Sequence, residues 1–195
     1  AGVLLPLLLS ATLYAIGYIR LQRRADGGRA QHRRSAVRFA AGWTILALAI
    51  VSPLHEGGER SFTVHMIEHE LIMVPAALLL AISRPLGVML WAFPLSARQA
   101  LSGGARWWQA LADPVVATVL QALALILWHA PPLFDRVLGY EIWHVAQHLS
   151  FLVTALLFWW AMTRMAGRGA LIAASCLFVT SLVGGGLGAL MTFST

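Results

Sequence analysis

Six apolar stretches of about twenty residues dominate this chain, at roughly 2–20, 36–54, 62–83, 114–133, 142–163 and 170–193, and none holds more than two Asp, Glu, Lys or Arg residues. A helix needs about 20 apolar residues to cross the hydrocarbon of a bilayer. Each stretch is long enough to do so. The 195 residues are 59% hydrophobic and only 11% charged, whereas soluble domains carry about 25% charged residues. An ordinary water-facing surface and a disordered chain are both excluded. The expected fold is all-α, a polytopic membrane helical bundle of about six transmembrane helices, forming a single transmembrane domain over residues 1–195. The run from Ala1 to Ile19 has its arginines behind it rather than ahead of it, so it reads as a span and not as a signal peptide. A chain that starts at Ala rather than Met suggests numbering that begins inside a longer product or after processing.

The formal net charge is +6, which in a soluble protein would suggest nucleic acid. Placement argues otherwise. All fourteen basic residues are Arg, and seven of them (Arg20, Arg23, Arg24, Arg29, Arg33, Arg34, Arg38) lie in one 19-residue stretch that holds no aromatic residue. A basic loop between two apolar runs fits an anionic lipid surface and not a nucleic-acid site. Alternate connections hold twelve arginines against two, Arg60 and Arg136. The positive-inside rule then puts the Arg-rich loop 20–35 in the cytoplasm and both termini outside. The connection 84–113, with Leu86, Trp91, Phe93, Trp107 and Trp108 among its arginines, reads as an interfacial segment. Trp43, Trp128, Trp143, Trp159 and Trp160 read as anchors near span ends. Gly184, Gly185, Gly186 and Gly188 suggest close helix contact in the last span. The one cysteine, Cys176, excludes an intrachain disulfide and reads as a small buried hydrophobe.

The orientation gathers the histidines. His55, His65, His69, His129, His144 and His148 all fall toward the outer side, and only His32 lies in the inner basic loop. Helix residues four apart differ by about 40° in azimuth and about 6 Å in height. His65 with His69, and His144 with His148, can therefore each chelate from one helix face. Together they offer four imidazoles to one metal, with His129 as a fifth near the mouth and His55 as a weaker candidate. Ionisable groups inside spans are costly and usually functional.

Glu68 shares the face of His65 and His69 and can act as ligand, outer hydrogen-bond acceptor or proton carrier. Gln147 holds the corresponding place in the second pair. Each hairpin thus has a His ending one helix and His–x–x–x–His opening the next, a weak internal repeat of the kind that parallel repeats produce. Met66 and Met73 could supply soft sulfur. Asp135 is either a ligand near the mouth or a polar loop residue.

Several chemistries could use this pattern. His65–Met66–Ile67–Glu68–His69 matches the His–x–x–Glu–His motif of inverted zinc proteases, although the second pair has Gln147 in place of a base. A bis-His haem needs ligands on opposite faces of the ring, which two His on one helix face do not provide. A copper or zinc transporter would need polar groups continuing toward the cytoplasm, yet the third span is apolar from Leu71 to Ile82.

The ordered combination of Ser52–Pro53–Leu54, His65–Met66–Ile67–Glu68–His69, Arg84–Pro85–Leu86, Trp128–His129–Ala130–Pro131 and His144 through His148–Leu149–Ser150–Phe151 to Phe158–Trp159–Trp160 resembles the CtaG family. These are the bacterial polytopic assembly factors of caa-type cytochrome c oxidase, and the similarity covers about residues 40–195. The resemblance implies a multi-pass protein of the bacterial plasma membrane that is not an enzyme. It further implies a metallochaperone-like role in haem–copper oxidase maturation, with copper bound on the outer side and oxidase subunits or copper chaperones as partners. Imidazole suits copper and zinc alike, so zinc is the alternative occupant.

Overall fold

The computed structural model describes residues 3–24, 27–52, 61–102, 109–165 and 169–193. The protein is all-helical, with no strand among the described residues. Among the described residues, five helical segments are long and apolar enough to cross a membrane: Leu4–Arg24, Arg29–Val51, Thr63–Ser83, Glu141–Arg164 and Ala170–Met191. The chain forms two compact units, Ala1–Trp108 and Gln109–Thr195.

The first unit opens with α1 (Leu4–Arg24) and α2 (Arg29–Val51). The second helix begins earlier than the apolar stretch suggested, because the arginines before residue 36 are good helix formers and extend it. His32 accordingly lies in the first turn of α2, its backbone N–H on the carbonyl of Gly28 at 3.1 Å. Tyr14 and Phe39 stack between the two helices with ring centroids 3.7 Å apart. Trp43, expected as an anchor near a span end, sits well inside α2 and donates its indole N–H to the Leu7 carbonyl and Ser10 Oγ, each at 3.2 Å. It links the two helices.

The third span has a break in its hydrogen-bond pattern. It runs as α3 (Phe62–Leu71), a π-helical turn (Ile72–Ala76) and α4 (Ala77–Ser83). Pro75 lies inside the turn. Proline has no N–H, and its ring clashes with the carbonyl four residues back, so the wider turn accommodates it. The N–H of Ala77 reaches back five residues to the carbonyl of Ile72. The turn and α4 pack along α2. A Cβ on Gly42 would lie 2.9 Å from Leu79 Cβ and 3.0 Å from the Ala76 carbonyl, so only glycine admits this approach.

Arg84 ends α4 with φ 51°, a left-handed conformation that disfavours a residue with a Cβ. The reversal sends α5 (Pro85–Met89) and a 3₁₀ turn (Leu90–Ala92) back along α1. A Cβ on Gly17 would collide with the Val88 carbonyl. Arg20 donates to the Ala92 carbonyl at 2.6 Å, and the Arg98 guanidinium lies 4.4 Å from the centre of the Trp91 ring. Arg98 belongs to α6 (Leu95–Ser102). The first part of the 84–113 connection is thus helical and fastened to α1.

The second unit contains α7 (Pro114–Trp128), α8 (Pro131–Gly139), α9 (Glu141–Arg164) and α10 (Ala170–Phe193). Asp113 caps α7, its Oδ1 accepting from the N–H groups of Val115 at 3.0 Å and Val116 at 3.2 Å. Pro114 takes the first helical position, where its missing N–H costs nothing. The stretch expected over 114–133 is shorter as a helix. Its 15 residues rise only about 22 Å, and Pro131 and Pro132, expected inside the span, instead begin α8, which continues into the expected connection 134–141. Helix α7 packs along both α9 and α10. Cys176 is buried, with its thiol 3.7 Å from the Pro114 carbonyl. Gly184, Gly185 and Gly186 have open space where a Cβ would stand, so the close approach expected of them occurs instead at Gly17 and Gly42.

Candidate metal centre

Buried polar groups in an apolar helix need partners, because desolvation without a hydrogen bond is unfavourable. Helix α3 carries three within one turn: His65, Glu68 and His69 are all buried, Glu68 completely. Their spacing of three and four residues places them on one face. The rings of His65 and His69 meet edge-on, with centroids 4.2 Å apart and planes at 64°.

Helix α9 repeats the arrangement in the other unit. His144 and His148 have ring centroids 4.4 Å apart and planes at 52°. Gln147 lies between them in sequence and on their face, with no solvent exposure at all. Each unit thus presents a close imidazole pair with one polar residue three positions after the first His. Taken by itself, the first unit offers His65, Glu68 and His69 as residues with atoms suited to ligate a metal ion, and the second offers His144 and His148.

His129 caps the C-terminal end of α7. Its Nδ1 lies 2.7 Å from the Leu125 carbonyl, and its ring is flanked by Phe134 and Phe151 at centroid distances of 6.4 and 6.2 Å. The neighbouring Trp128 donates its indole N–H to Ser150 Oγ at 2.6 Å, and that hydroxyl donates to the Gln147 carbonyl at 2.8 Å. This chain of hydrogen bonds fixes α7 against the histidine turn of α9. The sequence signals for it, a Trp before His129 and a Ser two residues after His148, were legible only as an anchor and a polar residue.

The weaker candidates separate. Met66 is half-buried one residue after His65. Met73 is buried within the π-helical turn, so α-helical spacing from His69 does not describe its direction. Asp135 belongs to α8, not to a loop, and its side chain is outside the described residues. So is all of His55, and with it the turn of the first hairpin needed to compare the two repeats. Glu70, turned away from the histidine face, is exposed.

The model of the cytochrome c oxidase caa3 assembly factor family, Caa3_CtaG, matches residues 12–195. The chain belongs to this family. Two curated relatives, uncharacterised proteins of Mycobacterium bovis and Mycobacterium tuberculosis, are each 28% identical over 174 residues, covering 83% of this chain and 25% of the relative. A third, an uncharacterised protein of Mycobacterium leprae, is 25% identical over 158 residues, covering 76% of this chain and 24% of its own length. The chain spans about a quarter of the length of these relatives. No solved structure matches it significantly.

Proposed function

We propose that this chain handles copper during assembly of haem–copper oxidase, as cargo held and passed on and not as the cofactor of a reaction. His65, His69, His144 and His148 would supply the imidazoles, with His129 near the mouth and Glu68 balancing the charge of the ion. The supporting observation is the pair of matched imidazole clusters, each with rings about one van der Waals contact apart on the face of a membrane helix. Such clusters lose the hydration of their ring nitrogens without gaining the packing of an apolar side chain, a sacrifice typical of functional groups in spans.

The donor set fits the group. Imidazole nitrogen binds Cu and Zn well, and one buried carboxylate offsets part of the positive charge. Zinc is accordingly a competent occupant of the purified protein. The arginine partition supports an outward orientation of the histidines in the bacterial plasma membrane, where subunits of the oxidase or a copper chaperone would meet them. Membership of an assembly-factor family supports a non-enzymatic carrier.

Metal content of the purified full chain tests the reading. Wild type should retain copper, or zinc in its place, at a fixed stoichiometry, and the His65→Ala/His148→Ala variant should lose it. In cells lacking the native protein, the same variant should fail to restore oxidase copper content. Full stoichiometric copper and zinc in the double variant would overturn the site.

A further inference from the structure

The hydrogen-bonding capacity of the Gln147 side chain is not used among the described residues. Its carboxamide is wholly buried, and both Nε2 and Oε1 are without a hydrogen-bond partner among the described residues. A primary amide carries two donors and an acceptor. Leaving them unpaired inside a protein is destabilising, and leucine of similar size would pack there without that penalty. The backbone at this position is nonetheless fixed: the Gln147 carbonyl accepts from Ser150 Oγ, which in turn accepts from Trp128 Nε1. The side chain therefore has little freedom to seek a partner by moving the helix.

Its neighbours indicate what the partner is. Gln147 lies three residues after His144 and one before His148, within an arc of about 100° on one face of α9. These two histidines form the close imidazole pair. We infer that Gln147 is a third donor group of the α9 half of the centre, giving its carboxamide oxygen to the ion that His144 and His148 hold. This rests on the metal-binding reading above. It adds a selectivity that the histidines lack: an amide oxygen is a hard donor and favours divalent Zn(II) or Cu(II) over soft Cu(I). At the matching position of α3 stands Glu68, a charged oxygen donor. Gln147 thus gives its half of the centre an oxygen ligand without a second negative charge.

The assignment has a signature that simple packing does not share. In the metal-free protein, Gln147→Leu removes an unpartnered buried amide and raises the melting temperature by about 2–4 °C. The same variant weakens Zn(II) binding about tenfold and Cu(I) binding by less. Gln147→Glu supplies a charged oxygen instead and tightens Zn(II) relative to Cu(I), a gain that a poorly folded variant does not give. The experiment is competition binding of Zn(II) and of Cu(I) to the full chain in detergent, with melting curves of the metal-free samples. Zn(II) affinity within twofold of wild type in Gln147→Leu overturns the inference. So does equal loss of both metals with a lower metal-free melting temperature, the mark of a packing defect. If wild type binds neither ion, or His144→Ala/His148→Ala binds as wild type does, the failure lies in the metal-binding reading itself.

Discussion

The Leu125 carbonyl holds His129 twice: the ring Nδ1 approaches it at 2.7 Å and the His129 backbone N–H donates to it at 3.3 Å. A carbonyl oxygen can only accept, so in this contact Nδ1 carries the proton, and a metal would meet the ring at Nε2. This is the arrangement in which an outer hydrogen bond orients a metal-binding imidazole. Replacing His129 by Phe keeps the contacts to Phe134 and Phe151 and removes that nitrogen. Copper or zinc affinity of His129→Phe should fall about tenfold, with the melting temperature little changed. Unaltered affinity in a chelator competition would restrict His129 to a stacking role.

Acidification should empty the centre. Imidazole binds metal only when unprotonated, so protons compete with the ion as pH falls through the histidine range, about 8 to 5. Stepwise dialysis from pH 8 to pH 5 should release the metal steeply, since several ligands protonate together. A gradual loss confined below pH 4 would point to carboxylate ligands in place of histidine.

Trp128 and Ser150 give an asymmetric pair of variants. In Trp128→Phe the hydroxyl retains its bond to the Gln147 carbonyl, and the loss is one hydrogen bond, about 1 kcal/mol. In Ser150→Ala the indole N–H is left without its acceptor, which costs about 1–3 kcal/mol. Thermal melts in detergent should therefore rank Ser150→Ala as less stable, with the double variant no worse than Ser150→Ala alone. Additive losses would show that the 2.6 Å contact contributes little.

Gly42→Ala should destabilise the first unit by about 1–3 kcal/mol, because the new methyl meets Leu79 Cβ and the Ala76 carbonyl. Gly184→Ala, placed in open space, should instead be neutral or gain about 0.5–1 kcal/mol from helix propensity. Melting temperatures of the two variants should move in opposite directions. A loss at Gly184 comparable to that at Gly42 would contradict the packing described here.

Five membrane-length helices were legible in the sequence because length and apolarity determine them directly, and so was the grouping of His65 with His69 and His144 with His148, since a four-residue spacing fixes a shared face. What escaped was tertiary or conditional on it. Pro75 was legible as a residue but not as a π-helical turn, because a proline can kink, end or widen a helix depending on what packs against it. The 15-residue length of α7 was hidden by the apolar residues after Trp128, which continue the hydropathy signal past the point where His129 ends the helix. Trp43 looked like any interfacial tryptophan until its partners Leu7 and Ser10 on α1 were known. Gln147 matched Glu68 in position, yet only its complete burial and unpartnered amide distinguish it from a surface glutamine.

Because the turn at Ile72–Ala76 holds one residue more than an α-helical turn requires, the third span keeps two independent azimuths. Deleting a single residue there would restore the ordinary repeat and swing His65, Glu68 and His69 by about 100° against the face that α4 lays on α2. The histidine turn and its mooring can thus be varied separately along one continuous helix.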